Sequence, residues 1–302
     1  MTLAFLCGPE PAEDDGAGAA AFHAAFPVMR HHYGRVAQWT GLDTAALLHG
    51  RGAPAGRVAL ATAMLGIHDV LAVHGIRPAV LGGLGVGALV SACLARALPR
   101  QDLIGLLLDS DSDSSDAATL GGTALAFLPA GHDPAWYRAA DPGSVRTEAV
   151  LGLDPSGRYR VLLLTGVRAA LEKLAAEAPP GAVRVHEGNG AVLHSPLGRQ
   201  ADGIPFTAPA LPLCCGPDGT TLTTADDVAR LFRRTTPATA DLDAMLREIH
   251  GHGTRLALVL GPSLPRNLVR FPFPVVHIES PGDISAAISA ILDFGVRLPT
   301  AR

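Results

Sequence analysis

The stretch PAVLGGLGVGALVSACLARAL, Pro78 to Leu98, decides how the chain is read. Pro78 to Gly82 is a short apolar run of strand character, and Ala88 to Leu98 is a helix of small residues. Between them stands Gly83-Leu84-Gly85-Val86-Gly87. A strand and a helix joined by so tight a turn belong in an α/β sheet. Two kinds of turn have this form. In the dinucleotide fingerprint, G-x-G-x-x-G/A, backbone N–H groups at a helix N-terminus cradle a pyrophosphate. Gly83, Gly85 and Ala88 fit it, and Asp102 follows at about the spacing of a ribose-binding acid. Yet Asp102 opens a segment, whereas that acid closes a second strand. In the nucleophile elbow, G-x-S-x-G, two glycines let a strained turn lift a serine above the sheet. Gly83 and Gly87 hold the two glycine places, and Gly85 stands where the serine belongs.

Outward from this turn the same alternation continues. Arg57 to His74 reads as a helix, with Leu60, Met64, Ile67 and Leu71 recurring on one face and Gly75 as its C′ stop. Leu3 to Cys7 reads as a buried strand, Gly8 to Gly18 as a polar connection, and Ala19 to Trp39 as helix broken at Pro27. Asp109 to Asp116, DSDSDSSD, reads as a solvated acidic loop; it lacks the spacing and turn glycine of a calcium loop. The pattern then changes. Strands over Thr123–Leu128, Val145–Leu153, Arg160–Leu164 and Val183–His186, with a helix over Val167–Ala178, make an insert of roughly 70 residues, enough for a small subdomain. From His194 the larger pattern resumes, with helices over Asp226–Arg234 and Asp241–His252 and a strand, Arg255–Leu260, that ends at Gly261-Pro262.

Composition narrows the class. The 302 residues suit one large domain or two unequal ones, and their Ala, Leu, Val and Gly content fits a buried parallel sheet. A net charge of −4 gives no reason to expect nucleic-acid binding. Cys7, Cys93, Cys214 and Cys215 form neither a C-x-x-C pair nor a zinc spacing, and adjacent cysteines are poorly placed for a disulfide. A reduced, cytoplasmic protein is expected, with no metal and no cofactor. The N-terminus lacks a basic region and meets Glu13-Asp14-Asp15, so it reads as a first strand; no apolar run is expected to span a membrane.

At these residues the chain resembles the malonyl-CoA:acyl-carrier-protein acyltransferases and the acyltransferase domains of polyketide synthases. That family's core is G-H-S-x-G followed by a small-residue helix; here it is Gly83-Leu84-Gly85-Val86-Gly87 and ALVSACLARAL. VLAVHGIRPAVLGG resembles the family's lead-in, and GAVLHSPL, Gly190 to Leu197, its a-F-H-S-P-L segment. Gly216-Pro217-Asp218-Gly219 is similar to N-x-D-G, LVLGP at Leu258–Pro262 to v-E-v-G-P, and YRVLLLTG, ending at Gly166, to v-V-V-S-G. The matches run in order over nearly the whole chain. The resemblance implies an α/β-hydrolase-like large subdomain with a parallel sheet, residues 1–120 and 190–302, and an inserted ferredoxin-like subdomain, residues 121–189.

It also implies a site. The attacking serine falls at Gly85, which has no side chain. The general base falls at His194, which without a nucleophile is equally a leftover cleft histidine. One oxyanion-hole N–H falls at Val86; the other falls in Cys7-Gly8-Pro9-Glu10, where proline has no N–H to give. Leu84 lines the substrate side. The arginine that pairs with a malonyl carboxylate falls at Asp109-Ser110-Asp111, where substrate would meet like charge. Ser91, Cys93 and Ser195 are the other candidate nucleophiles; the first two lie on the elbow helix away from its tip, and Ser195 belongs to the H-S-P-L segment. The expected role is that of a pseudo-acyltransferase of polyketide or fatty-acid synthesis. Its expected partners are an acyl carrier protein, an acyl-CoA or other acyl thioester, and a ketosynthase. One alternative is acyl transfer or thioester hydrolysis with His194 as base for direct attack. A more remote one is a dinucleotide-binding protein.

Overall fold

Leu3, Phe5 and Cys7 enter one hydrophobic core, and Ala4 and Leu6 enter another, so the first strand is covered on both faces. That is why it reads as a continuous apolar run. In the computed structural model, residues 2–9, 16–49, 55–112, 121–132, 144–186, 201–215, 218–233, 239–264 and 266–299 are described. Strand β1 (Thr2–Cys7) pairs in parallel with β2 (Val80–Gly83) on one side. On its other side runs β10 (Thr254–Leu260), and beyond that β11 (Val275–Ile278), both parallel. Beyond β2 lie β7 (Leu213–Cys214), parallel, and β8 (Thr221–Leu222), antiparallel. The order is β11-β10-β1-β2-β7-β8.

Helices cover one face: α1 (Ala17–Ala25), α2 (Pro27–Thr40), α3 (Thr44–His49), α4 (Ala55–Val73), α5 (Val86–Leu94), α6 (Arg100–Ser112) and α10 (Asp283–Asp293). The break between α1 and α2 falls at Phe26, which is extended because Pro27 follows it and takes the first helical position. Gly75 closes α4 in the left-handed region, and the Ile76 N–H reaches back to the Leu71 carbonyl as a Schellman cap. One window of α4, Gly56–Val73, does meet the length and composition of a membrane span, with mean hydropathy 1.4; 67% of it is buried, as in a central core helix. This corrects the expectation that no apolar run is long and clean enough.

The second sheet is built from β3 (Gly121–Pro129), β4 (Val145–Leu153), β5 (Tyr159–Val167) and β6 (Val183–Val185), with α7 (Arg168–Glu177) between the last two. Its order, β6-β3-β5-β4, is antiparallel throughout and is the 4-1-3-2 order of a ferredoxin-like unit. A two-residue strand from the far side of the chain, β9 (Ala240–Asp241), is added parallel to β4. Between β8 and β9 lies α8 (Ala225–Arg233), whose Val228 and Phe232 join the core on the helical face of the large sheet. One face of the small sheet packs on α7 through Ala124, Leu162, Leu164, Leu171 and Leu174. The other shares a core with α9 (Leu242–Gly251) and the large sheet, where Ala149, Leu151, Val161 and Leu163 meet Leu246, Leu6 and Leu84. Asp241 caps α9, its Oδ1 accepting from the Ala244 N–H at 2.9 Å.

Two sequence readings shift. The elbow helix stops at Leu94 and not at Leu98. The carbonyls just beyond it are taken from a distance: Ala210 N–H donates to Ala95 O, Thr207 N–H to Ala97 O, and the Thr207 hydroxyl to Arg96 O. The acidic run is not loop from its start; Asp109 to Ser112 are the last turn of α6, carried on from Leu103, Leu106 and Leu107 in the core.

Candidate active site

The elbow sits at the carboxyl edge of the large sheet, where α/β sheets bind ligands. Cys7 and Gly83 are register partners, so β1 and β2 end side by side. Gly85 has φ 54° and ψ −128°, a conformation that a side-chain-bearing residue adopts only under strain. It is exposed, while Gly82 to Leu84 and Val86 to Ala88 around it are buried. This is the backbone shape of an elbow that lifts one residue into the open.

Close packing explains the flanking glycines. A Cβ on Gly83 would fall 2.3 Å from the Gly87 carbonyl oxygen and 2.7 Å from Ser91 Oγ. A Cβ on Gly87 would fall 2.1 Å from the Cys7 carbonyl oxygen. The same carbonyl accepts the Leu84 N–H at 3.1 Å. The spacing of Gly83 and Gly87 is therefore a contact requirement between β1, β2 and α5.

Among the described residues, few groups could act here. Val86 is buried as the first residue of α5, so its N–H belongs to the helix-end donors that have no acceptor within the helix. Opposite, at the end of β1, the Gly8 N–H donates to Ser263 Oγ at 2.9 Å, and that hydroxyl donates on to the Leu260 carbonyl at 2.9 Å. Pro9 beside it is buried and has no N–H. Neither Gly8 nor Pro9 thus offers a donor to an oxyanion. Sequence reasoning did not single out Ser263; the only signal was its place directly after Gly261-Pro262.

Among the described residues near the turn, the side chains that carry oxygen or sulfur are buried. Ser91 is fully buried and donates to the Gly82 carbonyl at 3.0 Å, bracing β2 against α5. Burial pushes the Cys7 thiol up to about 12, against a hydrogen bond with Ser91, and the Cys93 thiol also to about 12. Cys215 is raised by burial as well, and Cys214 reaches about 11. All four cysteines are free and buried, and they stay protonated at neutral pH.

Structures of known proteins share this architecture. The chain matches a malonyl-transacylase solved in complex with a type II polyketide synthase acyl-carrier protein, at 17% identity and TM-score 0.77, over 96% of this chain and all of that one. The fold is that of the malonyl-CoA:acyl-carrier-protein transacylases. FabD from Acinetobacter baumannii matches with TM-score 0.78 at 15% identity, over 97% of this chain and 98% of that one. The acyltransferase domain from the second module of the salinomycin polyketide synthase matches with TM-score 0.75 at 18% identity, over 98% of this chain and 74% of that one. No protein-family model matches the chain, and no curated protein matches it by sequence.

Leu84 is buried between the two sheets, with Ala149, Leu151, Val161 and Leu163 in the same core. Asp109 is exposed on the last turn of α6, and Asp111 follows in the same turn. His194 and Ser195 lie outside the described residues. Asp102 stands in the first turn of α6, where a carboxylate favours the helix dipole, and no strand ends there as a dinucleotide site requires.

Sequence reasoning also missed a charged cluster at the other end of α5. Arg100 Nη1 and Nη2 donate to Asp69 Oδ2 and Oδ1, each at 2.6 Å, and His68 Nδ1 lies 3.2 Å from Asp69 Oδ1. Burial alone would raise the Asp69 carboxyl; the hydrogen bonds from Arg100 and His68 and the Arg100 charge outweigh it and hold it well below the usual carboxylate range. His32 packs nearby. Burial, then the Arg100 charge, push its imidazole down to about 4. The i, i+31 separation of Asp69 and Arg100 carries no local pattern that a sequence scan detects.

Proposed function

We propose that this protein is a pseudo-acyltransferase of polyketide or fatty-acid synthesis, built to hold an acyl carrier protein or a ketosynthase and not to carry an acyl group itself. The single observation behind this reading is Gly85: an elbow backbone with the strained angles of a nucleophile position and no side chain on it. Acyl transfer through an ester needs an oxygen or sulfur nucleophile at that tip. The engaged N–H of Gly8 and the proline at position 9 support the same conclusion for the oxyanion. Asp109 and Asp111, in place of a cation, weigh against a malonyl carboxylate. In this reading Val86 and Leu84 are remnants of the acyl-binding wall. The large subdomain spans residues 1–120 and 190–302, the small one 121–189, and the protein works in the cytoplasm without a cofactor.

The test is intact-protein mass spectrometry after incubation with malonyl-CoA, acetyl-CoA and an acylated carrier protein. No covalent adduct and no loss of the carrier's acyl group is the expected result, together with measurable binding of the carrier. An adduct would overturn the assignment of the elbow. A second reading draws on the open space left above Gly85: water or a carrier thiol attacks a bound thioester directly, with His194 as base. Loss of the acyl group without an adduct, abolished in His194→Ala, would favour it.

A further inference from the structure

At the end of α5 opposite the elbow, a groove of about 640 Å³ opens between α4, α5, α6 and the 205–207 segment. Its volume is that of a small-molecule site. Leu94, Leu98 and Pro205 give it apolar walls, and Arg96, Arg100 and His68 give it one polar side. Arg100 is engaged by both oxygens of Asp69, so that pair is neutral. Asp102, in the same first turn of α6, is half-buried and does not line the groove. Arg96 is exposed, and among the described residues it makes no ion pair. One unpaired guanidinium therefore faces an apolar trough.

Arg96 is also placed unusually. It has φ 62°, one of two non-glycine residues with positive φ among those described. It occupies the C′ position of α5, with the Ala97 N–H reaching the Ala92 carbonyl, a position where glycine is the relaxed choice. The Thr207 hydroxyl fixes its carbonyl, so the strained backbone aims the side chain at the groove's rim.

We propose that this groove binds a small monocarboxylate with an apolar body, its carboxylate held by Arg96 and its hydrocarbon laid against Leu94, Leu98 and Pro205. The planar fork of arginine matches a carboxylate, and a single net positive charge suits a monoanion better than a phosphate dianion. The site lies one helix length from the elbow, about 14 Å for nine residues, and does not depend on the function proposed for the elbow.

Calorimetric titration of the full chain with sodium hexanoate, inorganic phosphate and 1-hexanol tests this. Saturable hexanoate binding is expected, with phosphate and hexanol each about tenfold weaker or more, since each lacks one of the two matched features. Hexanoate should shift the methyl resonances of Leu94 and Leu98. Arg96→Gly, which relaxes the left-handed residue, should keep the melting temperature and lose about tenfold in hexanoate affinity; Arg96→Lys should lose less. The proposal fails if hexanoate does not bind at millimolar concentration, if phosphate binds more tightly than hexanoate, or if Arg96→Gly binds hexanoate like the parent chain.

Discussion

Helix α5 starts on Val86 and Gly87, behind Gly85, where backbone touches backbone; it ends near Cys93 and Leu94, beside Arg96 and the Asp69–Arg100 pair. The elbow end keeps the shape of a reactive turn and carries no reactive side chain. The far end has no special backbone motif beyond Arg96 and carries the charged groups. Packing at the first end is dictated by contact distances of a few ångström, so its geometry persists whether or not it has chemistry. At the second end, hydrogen bonds and charge do the positioning, so its properties depend on pH and on single polar atoms.

That contrast can be broken in several ways. Gly87→Ala places a methyl 2.1 Å from the Cys7 carbonyl oxygen, and it should destabilise by about 4 kcal/mol or prevent folding, read as soluble yield and denaturant midpoint. At the other end, the dominant effect is pH. His32 is neutral when folded, with its pKa depressed from 6.5 to about 4, so the unfolded chain binds a proton that the folded chain refuses. Its contribution is fully present above 6.5 and declines as pH falls toward about 4, by on the order of 3 kcal/mol. Asp69, depressed further, adds its own loss only below the ordinary carboxylate range. Melting curves from pH 7 to 4 should show the decline, and His32→Phe should flatten it.

Smaller effects follow. Arg100→Ala strands the Asp69 carboxylate. Because both side chains are partly exposed, 30% and 22%, the cost should be about 2 kcal/mol, with Asp69→Asn added on top costing little more. Gly85→Ser should cost only about 1 to 2 kcal/mol, the strain of a side chain at that φ, and should leave the fold intact. Incubated with acyl-CoA, that variant should acylate slowly at most, because Gly8 and Pro9 supply no second oxyanion donor. Rapid acylation would mean that the elbow lacks only its serine.

Much of the elbow was legible along the chain because its requirements are local. A tight strand-to-helix turn needs glycine at fixed spacings, and Gly83 and Gly87 announce it. The break at Pro27, the stop at Gly75 and the short apolar strands of the small sheet are local in the same sense. The C-terminal end of α5 was not legible. CLARAL continues as helix by composition, and the 207–210 segment, with Thr207 111 residues from Arg96, claims the carbonyls of Ala95, Arg96 and Ala97 where the helix stops. The spent N–H of Gly8 was hidden for the same reason, since its acceptor, Ser263, lies 255 residues on.

Sequence by itself thus determined the α/β class and the tight glycine turn with no side chain at Gly85, since glycine spacing is a property of neighbouring residues. Tertiary structure alone decided which N–H groups were already engaged, which thiols were buried beyond use, and where Arg100 met Asp69. Those outcomes depend on groups brought together from distant parts of the chain, and a hydrogen bond or a pKa exists only once both partners are in place.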